Sequence, residues 1–558
     1  MPGLSISKNS ELTRGKRIFM KVRISLVLTV VSICLIVFGG LVFSSYKIGY
    51  LGSLQSMSTF YYVGIGLLTT SALLAWLSRQ ELHRLCLAQF VSLVVALWVI
   101  PELIGYHPLS GFLSLEFQSF STAITLTGYL HPVGDLWQQQ WPAMPLLGSI
   151  LSQMVQGRAT LSSALFIENY SPALWQLAYS LVVFPLFSHL FPGNRRWAAL
   201  WLFTIGSWTG LNFFDINSIG AFFFYMILAF SINQKIGKRT LAILVILLVA
   251  VSISHPLYSL LAIVASVVLT PRTSRILLPV YGFAFALVWE LFFAGAAVGG
   301  TITASIHDWL NFGTFFNQSV GLKVASSSFI HSLVARLDIA YVGVLGFAAV
   351  IAYAALLKYS RGVENSFKSL FTVVVVVAGV GLLLGPSFGN EALQRIYFLL
   401  LPALSCLAIS GMKVRRRFFI LALVLLLSLG TVTNITTLFG QTAVNNNTPS
   451  LDSGYVYFGQ FTLGGYYGGT ITTFTRNPES YTVVPLFLAS GNNITKPQPE
   501  NYYPYFILLG PADEGRLQYT FGNANAFTQT GEMLGSDPGM ILAFNSGDTH
   551  IYARAIPP

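Results

Sequence analysis

Few residues in this chain have side chains suited to acid–base or anion chemistry, and they fall in a handful of stretches. The first, FLSLEFQSFSTAITLTG from Phe112 to Gly128, sets Leu113, Phe117, Phe120 and Ile124 at helical spacing and closes on a glycine. An amphipathic helix of that pattern lies on a membrane surface and turns Glu116, Ser119 and Thr122 away from lipid. Glu116 is then placed to act as a general base, although a solvated surface charge fits the same spacing. The next stretch, GYLHPVGDLWQQQWPAMPLLGSIL, holds His131 and Asp135 beside Trp137 and Trp141. Asp135 is the second candidate base, with a Gly-Asp turn as its plainer account. Tryptophans at an outer interface read as membrane anchors. Glu102 and His107 lie just upstream, where an interfacial role is equally open.

Three further positions sit at the ends of apolar runs. Asp215 in FFDINS occupies a very short turn, where it reads either as a site carboxylate or as the N-cap of the next helix. His255 in SISHPLYSLL marks a tight turn and reads either as a ligand-facing imidazole or as a neutral, satisfied one. Arg395 in GNEALQRIYFLLLPAL follows Glu391 by four residues, the spacing of a helical ion pair. Arginine is also the side chain that grips a phosphate with two parallel hydrogen bonds. Glu290, deep in an apolar run, must be neutral, paired or facing a cavity.

No P-loop, dinucleotide fingerprint, HExxH or GxSxG motif is present, so ATP-driven transport and membrane serine or zinc proteolysis lack support. Cys34, Cys86 and Cys406 all lie in apolar runs and imply neither a disulfide framework nor a cysteine zinc site. No metal-ligand set is assigned, and no cofactor is certain; a divalent cation is left open.

The elements that must position these residues follow from composition. Hydrophobic residues make up 54% of the 558 and charged residues 9%, against roughly 25% charged in a soluble domain. A soluble enzyme and a disordered chain are both excluded. Thirteen apolar stretches long enough to be read as spans lie near 24-45, 58-78, 83-100, 172-191, 196-213, 217-233, 240-254, 257-270, 276-299, 338-357, 369-387, 392-411 and 418-438. The net charge of +11 suits topology rather than nucleic acid, because 22 of the 31 Lys and Arg fall on alternate connections. These run from the N-terminal segment through Arg79/Arg84, Arg195/Arg196, Lys235/Lys238/Arg239, Arg272/Arg275, Lys358/Arg361/Lys368 and Lys413/Arg415/Arg416/Arg417. The positive-inside rule then sets the N-terminus in the cytoplasm. The sequons at Asn169, Asn317, Asn434, Asn446 and Asn493 fall on the other side, with Asn434 too near the membrane to be modified.

The expected organisation is a basic cytoplasmic segment at 1-23 and a transmembrane region at 24-439, with outer loops at 101-171 and 300-337. A small β-rich or α/β extracytoplasmic domain follows at 440-558. Its runs TVVPLFL, YPYFILL and MILAF are strand-like, and MILAF-NSGD-THIYARAI carries a hairpin signal. The fold class is thus an all-α polytopic membrane protein in the plasma membrane, with a terminal domain outside.

The order of these features, TGYL…WPAMPLLGSILSQMVQG, FFDINSIGAFFFYMILAF, ISHPLYSLLAIV and NEALQRIYFLLLPALSCLA, resembles the GT-C superfamily of multi-span membrane glycosyltransferases. The likeness is strongest to archaeal members with a C-terminal outer domain, whose terminal strands AFNSGDTHIYAR is similar to. It begins near residue 100, so the first two spans would be additions. The resemblance implies inverting transfer of a sugar from a polyprenyl-phosphate donor, at the outer face, to a glycan or protein acceptor, with membrane lipid as surroundings and no nucleic acid. It implies a catalytic carboxylate in the first outer loop, here Glu116 or Asp135. Substrate-binding residues would come from Arg395, Glu391, His255, Asp215, His131, His107 and Glu102. Members of the family carry an Asp early in that loop, where this chain has Glu102 and Glu116. Two other functions compete: a non-catalytic protein on the same scaffold that assists or anchors a cell-surface assembly, and a transporter or flippase. Transporters show related halves and broken helices at the midplane, and neither is evident here.

Overall fold

The computed structural model describes residues 5–42, 54, 57–78, 80–103, 121, 124–125, 128, 141–156, 161–208, 215–232, 237–269, 277–294, 329–359, 365–384, 392–413, 416–440, 471–473, 506–509, 525–545 and 550–554. Most of these are helical. In chain order the helices are α1 (Ser5–Leu41), α2 (Thr59–Trp76), α3 (His83–Val94), α4 (Ala143–Gln156), α5 (Leu161–Leu190), α6 (Arg195–Gly206) and α7 (Ile216–Ser231). They continue as α8 (Lys238–Ser252), α9 (Pro256–Leu269), α10 (Leu277–Phe292), α11 (Phe329–Tyr359), α12 (Asn365–Leu384), α13 (Ala392–Ser410) and α14 (Arg416–Gly440). α3 runs on through a π-helical turn, Val95–Val99, into Ile100–Leu103.

A helix lies on each of the thirteen apolar stretches, and among the described residues seven are long and apolar enough to cross a membrane. Several helices exceed their expected bounds. α5 begins at Leu161 and α11 at Phe329, and α4 lies inside the stretch expected to be an outer loop.

Apolar surroundings make every buried polar group seek a partner within the protein. Where α1, α2 and α3 meet, the Gln89 amide donates to Ser25 Oγ (3.2 Å), Thr29 Oγ1 (2.9 Å) and Ser71 Oγ (2.9 Å), all deeply buried. At the basic-turn end, Asn194 accepts from the Leu82 N–H (3.0 Å) and donates to the carbonyls of Ala75 (3.1 Å) and Gln80 (2.6 Å). One side chain thereby satisfies the backbone of the turn between α2 and α3.

α13 is the central element. Of its membrane-length window 83% is buried, against 28–44% for the other six. Helices α6, α7, α11 and α12 pack around it. Pro402 inside α13 has no N–H to bond the Phe398 carbonyl four residues earlier. The Tyr225 hydroxyl of α7 donates to that carbonyl instead. A proline that would weaken an isolated helix here fixes the contact between α7 and α13.

Beyond the bundle, β1 (Ile471–Thr473), β2 (Phe506–Leu509), β3 (Met540–Asn545) and β4 (His550–Arg554) form one sheet in the order β1-β2-β4-β3, with α15 (Asn525–Ser536) beside it. The β3–β4 pair is antiparallel, as the hairpin signal implied, with an irregularity between Leu542 and Phe544. Leu509, Leu534 and Tyr552 are buried together against Met540. The run TVVPLFL lies outside the described residues.

Candidate functional site

The starts of α7 and α9 meet where Gly220 packs against His255 and Tyr258, and Arg395 in the first turn of α13 is near enough for its charge to act on His255. These starts are formed by short, tightly bonded turns. Asp215 has extended backbone (φ −147°, ψ 158°) and caps α7: its Oδ1 accepts the Asn217 N–H at 3.3 Å and its Oδ2 pairs with the Asn217 amide. The capping role foreseen for this residue is thus the one its geometry shows. The Tyr179 hydroxyl of α5 donates to the Ser218 carbonyl at 3.0 Å and fixes the same turn from the side.

His255 is 1% exposed and lies between α8 and α9, with its backbone N–H on the Val251 carbonyl (3.0 Å). Its ring stacks on Tyr258 at 4.4 Å and 21°. α7 meets this pair at Gly220, where a Cβ would come within 2.6 Å of Tyr258 Cδ2 and 3.2 Å of His255 Cβ. Only a glycine lets α7 approach so closely. Burial, and after it the positive charge of Arg395, holds the imidazole pKa well below its ordinary value of 6.5. His255 is therefore neutral, with one ring nitrogen a donor and the other an acceptor.

Arg395 is half-buried in the first turn of α13. The helix start contributes a partial positive charge, to which the guanidinium adds a full one. The arrangement suits an anion with planar, bidentate oxygens.

The opposite side of α13 closes the end of α6. The Tyr397 hydroxyl donates to the Gly206 carbonyl (2.9 Å) and the Asn434 amide to the Ile205 carbonyl (2.9 Å), satisfying backbone groups that a helix terminus leaves open. Trp208 stacks on Tyr397 at 5.6 Å and 27°. Thr437 donates to Asp338 Oδ1 at 2.6 Å. Asn434 is fully buried, so it offers no amide for glycosylation.

Of the nine residues proposed from sequence, Asp215, His255 and Arg395 are described with their side chains, and all three stand at helix starts, those of α7, α9 and α13. Glu116, Asp135, His131, His107 and Glu391 lie outside the described residues. Glu102 is helical, and its side chain lies outside them as well. Sequence reading missed Tyr258, Asp338 and Tyr397, whose polar atoms sit in otherwise apolar runs. That oddity was the available signal for Asp338. One expectation is corrected: Trp141 is 3% exposed, and its indole N–H donates to Glu290 Oε1 at 3.3 Å, so it packs inward rather than anchoring at lipid. Among the described residues no group of three His, Cys, Asp or Glu could hold a metal ion.

No protein-family model and no curated protein matches the chain. Among solved structures it is similar to the crystal structure of the Archaeoglobus fulgidus oligosaccharyltransferase in the apo form, with 13% identity and a TM-score of 0.45 over 89% of this chain and 75% of that one. A likeness at that level transfers no residue from the enzyme to this chain.

Proposed function

We propose that this chain is a membrane glycosyltransferase that moves a sugar from a polyprenyl-phosphate-linked donor to a glycan or protein acceptor at the outer face of the plasma membrane. The observation that carries the reading is Arg395, in the first turn of the most buried of the membrane-length helices, near enough for its charge to act on the buried, neutral His255. In the topology expected from the basic connections, the positive-inside rule sets these turns outside.

In this reading Arg395 and the first turn of α13 hold the donor phosphate, and His255 donates a hydrogen bond from one ring nitrogen. Asp215 keeps the start of α7 in place beside them. A carboxylate of the outer segment, Glu116 or Asp135, takes the proton of the acceptor hydroxyl or amide as that group attacks the anomeric carbon. The bond from that carbon to the phosphate oxygen breaks, its electrons stay with the phosphate, and the configuration inverts. Charge stabilisation on the leaving phosphate is the main contribution of the site. The membrane geometry suits this chemistry, because the leaving group stays in lipid while the acceptor arrives from water.

The test is the full chain reconstituted in lipid with radiolabelled polyprenyl-phosphate hexoses and membrane extract as acceptor. Release of unsubstituted polyprenyl phosphate with label entering the acceptor supports transfer. No release with any donor, from protein that elutes as one folded species, overturns it.

A further inference from the structure

We propose that Glu290 is a positioning residue which, through Trp141, seats the outer segment carrying the candidate base; its effect on turnover rests on the transfer reading above. Glu290 stands in the last turn of α10. Its Oε1 accepts the Trp141 indole N–H at 3.3 Å, while Oε2 is buried and has no hydrogen-bond partner. A carboxyl group there is costly to desolvate, and an aliphatic residue would pack without that cost. The feature that requires an acceptor is the indole of Trp141, itself 3% exposed.

Trp141 lies two residues before the start of α4, which is held at a second point. The Ala143 N–H donates to the Ile253 carbonyl at 3.4 Å, two residues before His255. Met144 beside it is fully buried. Residues 141–144 are thus pinned between α10 and the His255 turn.

α4 carries the connection onward. Ser149 Oγ, two turns along, meets Thr125 Oγ1 at 2.7 Å. Thr125 is helical, and Thr125 Oγ1 bonds the Ser121 carbonyl at 2.8 Å. Three residues on, Gly128 has φ +78° and its N–H donates to the Ile124 carbonyl at 2.8 Å, the left-handed close of a helix. These residues end the amphipathic stretch whose spacing includes Glu116. The contacts run from Glu290 through Trp141, α4 and Ser149 to Thr125 and Gly128, at the end of the stretch whose spacing predicts a helix bearing Glu116, with a side branch to the Ile253 carbonyl beside His255.

The test is a double-mutant cycle on the full chain in lipid, using Trp141→Phe, Glu290→Leu and the pair. Its first readout is amide hydrogen exchange over residues 121–156, which needs no activity. Each single variant should speed exchange there by roughly tenfold, and the pair no more than either alone, because one shared hydrogen bond is lost in all three. Glu290→Gln keeps an acceptor oxygen and should stay within about threefold of wild type. The second readout is kinetic: Glu290→Leu should lower kcat with donor KM unchanged, since the base acts on the acceptor. Additive effects on exchange, or none with Glu290→Leu, overturn the proposal, as does a loss of donor affinity in place of turnover. Non-additive exchange in a protein whose wild type transfers no sugar supports the seating and removes the transfer reading, so the two failures are distinct.

Discussion

His255 and Arg395 are coupled by charge: burial, and after it the positive charge of Arg395, holds the imidazole neutral. The pair joins the start of α13 to the turn between α8 and α9, which lie 140 residues apart in sequence. A neutral histidine beside a permanent cation is an arrangement that an arriving anion strengthens, because the anion can accept from both.

The pair sets a pH dependence. The folded pKa of His255 lies below the unfolded value near 6.5, so between the two the unfolded chain binds more protons and folding is favoured as pH rises. Stability is full above 6.5 and is lost progressively as pH falls below it. Thermal unfolding in lipid should show Tm falling on acidification through that window, with a shallower fall in His255→Gln. An identical slope in both proteins would remove His255 as the cause.

Gly220 should not tolerate a side chain. A Cβ there meets the Tyr258 ring at 2.6 Å, so Gly220→Ala must displace the ring stacked on His255. An expected loss of about 1–3 kcal/mol places it with other overpacked cores. Gly66, whose added Cβ would meet nothing within 4 Å, provides the control. Equal Tm values for the two alanine variants would contradict the close approach of α7.

Asn434 should remain unglycosylated in the native host, although its sequon is intact. Its amide is fully buried and spent on the Ile205 carbonyl. Mass spectrometry of the peptide should find it unmodified. A glycan at that position would require a different packing of α6 and α14.

Much of this arrangement was legible locally. Apolar run length located the helices, the Asp215 turn announced a cap, Gly128 marked a helix end, and the NSGD turn gave the β3–β4 hairpin. What was hidden depends on partners far away in sequence. The sequence shows that Pro402 frees the Phe398 carbonyl, but nothing near it names Tyr225, 173 residues away, as the donor. Trp141 carries the local signature of a membrane anchor, and only its contact with Glu290, 149 residues on, turns it inward. α4 was hidden because its short apolar pattern, with Pro145 in the first turn, resembles an interfacial loop as much as a helix.

The side of the membrane is open to direct labelling. Cysteine at Ser546, which follows β3 in sequence, should react with an impermeant maleimide on intact cells. Reaction only after permeabilisation would invert the topology and set the Arg395 end in the cytoplasm.

The central claim is that Arg395 grips a lipid-linked phosphate, and substitution by lysine tests it most directly. Ammonium keeps the charge but loses the planar fork. Donor saturation of sugar transfer should therefore show KM rising by at least about tenfold in Arg395→Lys, from protein that inserts and unfolds like wild type. An unchanged donor KM and full turnover in Arg395→Lys, repeated in Arg395→Ala, would contradict the assignment and move the phosphate site elsewhere.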